Sequence, residues 1–111
     1  MNLDRAVGAQ DLVVSVSQDD QVWAFRNGGS GNFTVVPNDA NLAPAQFAVG
    51  PWNANAPPDL AVVNTQVDAV TTMFGDGSGG FTATPSAGIE VSNAPVRILE
   101  TDFEGDGKRD L

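Results

Sequence analysis

The chain has 111 residues, 41% of them hydrophobic, and a net charge of −9, which is the profile of one small domain with enough apolar material for a packed core. Five Lys and Arg against fourteen Asp and Glu argue against nucleic acid and against anionic membrane surfaces, since both are held through cationic side chains. With no Cys and no His, there can be no disulfide, thiolate site, histidine-dependent triad or His-ligated zinc.

Residues 1–11 lack a basic stretch followed by an apolar run, so a secretory leader is not expected within them. Leu12 to Ser17 is a short, β-branched, partly alternating run, which predicts a strand. Gln18-Asp19-Asp20 supplies turn chemistry, and a second strand is predicted from Gln21 to Asn27. Gly28 to Asn32 is a glycine-rich turn. A third strand follows from Phe33 to Val36 and a fourth from Pro44 to Gly50, with Phe47 and Val49 on one face and Ala48 on the other. The same order then returns as Leu60–Asn64, Val67–Phe74, Phe81–Thr84 and Val96–Thr101. No window has a sustained helical period, and no apolar stretch approaches the roughly 20 residues of a membrane helix.

The return is a sequence repeat. Residues 12–37 align with 60–85 at an offset of 48, without a gap. Leu12/Leu60, Val14/Val62, Asp20/Asp68, Val22/Val70, Gly29/Gly77, Phe33/Phe81 and Pro37/Pro85 are among the identities. The second copy then gains three residues, and an offset of 51 pairs Pro44 with Pro95, Trp52 with Phe103 and Asp59 with Asp110. A period near 50 residues in an all-strand pattern points to propeller blades or a comparable array. The copies are read as repeat 1, about 12–59, and repeat 2, about 60–110, with 1–11 as the vestigial loop of a preceding blade.

Most of the candidate chemistry lies in residues 102–110, Asp-Phe-Glu-Gly-Asp-Gly-Lys-Arg-Asp. Asp102, Glu104, Asp106 and Asp110 are the acidic residues at positions 1, 3, 5 and 9 of this loop, with Gly105 and Gly107 between them. Hard cations such as Ca²⁺ take six to eight oxygen ligands, and acids at alternate positions of a tight loop can wrap one ion. A solvated acidic turn is the plainer reading. No helical pattern flanks the loop and no Glu follows at position 12, so it is not an EF-hand. The matching stretch 51–59 keeps only Asp59 as a carboxylate, with Asn53 and Asn55 as neutral oxygens, and is expected to bind weakly or not at all.

Other motifs are less specific. Gly75-Asp-Gly-Ser-Gly-Gly-Phe81 has no following Lys and no predicted helix, so it reads as a hairpin turn rather than a phosphate loop. Trp52 matches the apolar Phe103 and is expected in the core. Trp23 matches the polar Thr71, which leaves it open between packing and an exposed platform for a sugar ring. No unpaired acid in an apolar context suggests a glycosidase pair.

These linked motifs resemble the FG-GAP or VCBS repeats of integrin α-subunit propellers and bacterial surface proteins. Pro95-Val-Arg-Ile-Leu-Glu-Thr-Asp-Phe-Glu-Gly-Asp-Gly-Lys-Arg-Asp-Leu111 carries the first half of the pattern. Leu60-Ala-Val-Val-Asn64 and Phe74-Gly-Asp-Gly-Ser-Gly-Gly-Phe81 carry the second. The resemblance implies an all-β fold of four-stranded antiparallel propeller blades, about two per chain. It implies Ca²⁺ held by Asp102, Glu104, Asp106 and Asp110 and by the Lys108 carbonyl, with Glu104 standing where the family usually has Asp or Asn. It further implies an extracellular or cell-surface, non-catalytic binding or adhesion scaffold. A glycan-binding lectin and an ancillary propeller domain of a secreted enzyme are the alternatives. A propeller has roughly four to eight blades. The expected partners are therefore further copies closing a ring, with Val96–Thr101 completing the first blade of the next subunit, or the rest of a longer propeller. A protein or glycan ligand is the further expectation.

Overall fold

A computed structural model describes residues 1–3, 8–84 and 88–111. Pro85, one of the matched positions, and part of the loop read as vestigial lie outside the described residues. The described chain is all β, with eight strands: β1 (Leu12–Val16), β2 (Gln21–Asn27), β3 (Phe33–Asp39), β4 (Pro44–Gly50), β5 (Asp59–Asn64), β6 (Ala69–Gly75), β7 (Phe81–Ala83) and β8 (Ile89–Glu90).

They form two antiparallel sheets. The first has the order β1-β2-β3; the second has the order β4-β5-β6-β7, with β8 also paired to β6. The meander follows from the local signals: β-branched runs separated by turns too short for a crossover. At the β1–β2 and β5–β6 turns the chain enters the left-handed region at Asp20 (φ 56°) and Asp68 (φ 50°). Short polar side chains tolerate that conformation better than branched ones do. Each aspartate also anchors the chain downstream. Asp20 Oδ1 accepts from Ala43 N at 2.8 Å, and Asp68 Oδ1 accepts from Ala94 N at 2.6 Å.

The three-residue insertion has a visible effect. β3 pairs with β2 continuously, from Asn27↔Phe33 to Gln21↔Asp39. On the matching edge of β6, β7 pairs from Gly75↔Phe81 to Met73↔Ala83, and β8 resumes with Val70↔Ile89 and Ala69↔Glu90. β7 and β8 thus pair along the edge of β6 that corresponds to the β3 edge of β2, and β8 lies outside the strands read from the sequence.

The sheets stack with the core between them. Val22 and Ala24 of the first sheet cluster with Leu60, Val62, Met73 and Phe81 of the second, and Leu3 and Ala40 join them. Burying a Leu, Val or Met side chain stabilises by about 1.5–3 kcal/mol, so this seam carries much of the fold's cohesion. Polar ties cross the same seam. Asn38 Nδ2 donates to the Gly79 carbonyl at 3.2 Å, and its Oδ1 accepts from Phe81 N at 2.7 Å. Asn64 Nδ2 donates to the Ala40 carbonyl at 2.6 Å.

One predicted strand does not form. Residues 96–100 have no ladder partner among the described residues, and only Thr101 is bridged, to Asp110. Its counterpart β4 is a strand because β5 lies against it, from Gly50↔Asp59 to Pro44↔Asn64. Among the described residues the two sheets close neither a barrel nor a propeller ring.

Candidate functional site

The loop 102–110 begins and ends at one antiparallel pair. Thr101 N donates to the Asp110 carbonyl at 3.1 Å, and Asp110 N to the Thr101 carbonyl at 2.6 Å. Between them the backbone turns back through Gly105 (φ 75°) and Gly107 (φ 86°), a conformation that glycine adopts at low cost.

The Asp102 carboxylate fills the inside of the turn. Its Oδ1 accepts from Gly105 N at 2.6 Å and Asp106 N at 3.1 Å, and its Oδ2 from Gly107 N at 2.8 Å. The Gly107 N–H contributes most to holding this carboxyl below the usual carboxylate range; desolvation opposes it, and Gly105, Asp106 and the nearby Arg109 charge assist. Asp106 Oδ1 accepts from Lys108 N at 2.8 Å, while its Oδ2 lies 3.1 Å from the Lys108 ammonium. Those two Lys108 contacts are the main reason the Asp106 carboxyl is also lowered, with Glu104 beside it adding a smaller contribution. Asp110 Oδ2 accepts from Phe103 N at 2.8 Å. Arg109 Nε pairs with Glu100 at 3.3 Å.

Oxygen-only donors suit a hard cation. The side chains are disposed otherwise: among the described residues no group of three or more acids is arranged to hold a metal ion. Asp102 is turned onto amides of the loop itself, and Asp106 is engaged by Lys108. The structure thus brings Glu104 and Asp106 together and ties Asp110 to the start of the loop, without gathering the predicted set around one point.

The other two loops explain what the terminal aspartate of the motif does. Asp59 is fully buried. Its Oδ2 accepts from Trp52 N and Asn53 N, both at 3.0 Å, and its Oδ1 from Gly75 N at 3.0 Å and Asn53 Nδ2 at 3.2 Å. One carboxylate thereby clasps the loop before β5 and the far end of β6. Asp11 does the same one copy earlier: Oδ2 accepts from Leu3 N at 2.5 Å and Oδ1 from Asn27 N at 2.8 Å, at the end of β2. Asp110 makes the first half of this clasp, through Phe103 N. Sequence reasoning treated Asp59 as a leftover ligand and missed this role. The available signal was the acid standing directly before each strand's leucine, in Asp11-Leu12, Asp59-Leu60 and Asp110-Leu111.

In the second loop Asn53 Oδ1 accepts from Asn55 N at 2.7 Å, closing a local turn. Trp52 is half-buried rather than in the core, and its indole nitrogen is shielded from solvent without a hydrogen-bond partner. It lines a shallow cleft of about 370 Å³ with Pro51, Gly107, Lys108 and Arg109. Trp23 is also half-buried; its indole donates to Gln21 Oε1 at 2.7 Å and its ring lies 6.5 Å from that of Phe25. At the 75–81 hairpin, Asp76 Oδ1 accepts from Ser78 N at 2.7 Å and Gly80 N at 3.0 Å. Those amides are occupied by a carboxylate from within, consistent with a turn rather than a phosphate loop.

No family model, curated protein or solved structure matches this chain.

Proposed function

We propose that the chain is a calcium-binding unit of an FG-GAP/VCBS-type propeller, serving as a non-catalytic binding or adhesion scaffold at the cell surface or outside the cell. The observation that carries this reading is the carboxylate clasp. It recurs at Asp11, Asp59 and Asp110, each time tying the start of a loop to the aspartate at its end. Of the two loops described throughout, 102–110 has more carboxylates than 51–59 and is the more exposed, with acids rather than amides at its alternate positions.

The residues that would hold the ion are Asp102, Glu104, Asp106 and Asp110, with the Lys108 carbonyl. Bound there, Ca²⁺ would supply cohesion to an exposed hairpin rather than chemistry, and would stabilise the folded state by mass action. The absence of His and Cys from the sequence favours a scaffold over an enzyme. Two units fall short of a ring, so further copies or further repeats of a longer chain would complete one. The partner class, protein or glycan, is set by surfaces outside this loop.

Titration calorimetry with Ca²⁺ tests the assignment. Wild-type chain should bind one equivalent, and Asp106→Asn should weaken binding at least tenfold, about 1.4 kcal/mol. Absence of binding heat at millimolar Ca²⁺, or an unchanged affinity in the variant, removes the calcium reading.

A further inference from the structure

The core seam has two sides, and each side has a second example elsewhere on the chain that is left open. On the second sheet, Leu60, Val62, Met73 and Phe81 face the first sheet and are 0%, 0%, 0% and 7% exposed. Their matched positions on the first sheet are Leu12, Val14, Phe25 and Phe33. Register places these on one face, through Leu12↔Phe25 and Val14↔Trp23, with Phe33 opposite Asn27 two residues on. This face is uncovered: Leu12 is 53% exposed, Val14 45% and Phe33 43%.

The other side of the seam is made by Val22, Ala24 and Ala40, all fully buried. Their matches on the back of the second sheet are Val70, Thr72 and Val91. These are only half-buried. Val70 and Val91 line an open apolar groove of about 230 Å³ with Ile89, Ile98 and Leu111. A contiguous exposed apolar face and an apolar groove on one small, highly charged chain are the marks of interaction surfaces.

We infer that the occupant of this groove is the outer β1–β3 face of a second copy of the chain, docked as the first sheet's neighbour docks within one chain. The inference deepens the partner reading above, and it needs no cation. The observed seam is its template: these matched positions, four of the seven with the identical residue, already pack against each other once. The contact is heterologous, front of one copy to back of the next, so it propagates head to tail and forms a ring if the rotation closes.

The test uses two exposed substitutions, one on each side: Val14→Asp on the outer face and Ile89→Asp in the groove. Masses are measured by light scattering in EDTA, at about 0.15 M salt to screen the net charge. Wild-type chain should gain mass across ~10–500 µM, the range that reveals a micromolar contact. Each variant alone should be monomeric with an unchanged denaturation midpoint. An equimolar mixture should form a one-to-one heterodimer and nothing larger, because only one intact front meets one intact back. A wild-type chain that stays monomeric, a variant that still self-associates, or a mixture that fails to pair overturns the inference. Because EDTA is present throughout, a failed calcium titration leaves this result untouched, and a failed association leaves the calcium reading untouched.

Discussion

Removing the clasp carboxylate at each of its three positions should destabilise the chain in a fixed order. Asp59→Ala strips the acceptor from three backbone N–H groups, that of Gly75 in a buried bond and those of Trp52 and Asn53 in part-buried ones, around a carboxylate that is itself 0% exposed. An unsatisfied buried donor costs roughly 1–3 kcal/mol, and bonds to a charged acceptor lie at the upper end. These donors share one acceptor and relax together, so the loss should be about 3–5 kcal/mol, below the sum of three separate penalties. Asp11→Ala frees two, Leu3 N and Asn27 N, and should lose about 2–4 kcal/mol. Asp110→Ala frees only Phe103 N in an exposed hairpin, where water replaces the acceptor, and should lose about 1 kcal/mol or less. A domain of this kind has roughly 5–15 kcal/mol in total, so the first variant will be close to unfolding. Urea denaturation with linear extrapolation measures all three. The reasoning fails if Asp110→Ala costs as much as Asp59→Ala, or if Asp59→Ala costs under about 1 kcal/mol.

Two smaller predictions follow from the same contacts. A side chain at Gly75 would run into the Pro58 carbonyl oxygen, a backbone atom that cannot step aside, so Gly75→Ala should cost about 1–3 kcal/mol by the same denaturation assay. An unchanged midpoint would show that the Pro58 backbone gives way. Asp102 and Asp106 are lowered from 3.8 in the folded chain, so their hydrogen bonds stabilise the loop fully above that value and are lost as pH falls through the depressed folded values. Amide shifts of Gly105, Gly107 and Lys108 should therefore move below pH ~4. A titration of these amides centred at or above 3.8 would contradict the hydrogen-bond pattern.

Most of the strand content was legible because the apolar runs are short, β-branched and bounded by turn residues. Val14, Val22 and Val62 announce pleated elements without any tertiary information. The segment 96–101 shows the limit of that signal. Val96, Ile98 and Leu99 read as a strand, yet a strand is completed by its neighbour, and among the described residues no ladder partner faces residues 96–100. β8 was hidden for a related reason. Ile89 and Glu90 carry no pattern of their own and become a strand only because β6 has an open stretch of edge at Ala69 and Val70.

The candidate site was legible as a constellation and not as a geometry. Acids at alternate positions with intervening glycines say that oxygen donors and a tight turn share one loop. They do not say that Asp102 will turn onto the amides of Gly105 and Gly107. Nor does any local pattern reveal that Asp59 reaches Gly75, because that contact depends on β5 and β6 pairing first. The tie between Asp11 and Asn27 is of the same non-local kind.

The most direct test of the account is an amide-resolved NMR titration of the chain with Ca²⁺. Shift changes saturating together and confined to residues 102–110, with Asp59 and Asp11 loops unmoved, are the predicted result. Weak changes spread over the acidic surface, or a response in the 51–59 loop equal to that in 102–110, would contradict it.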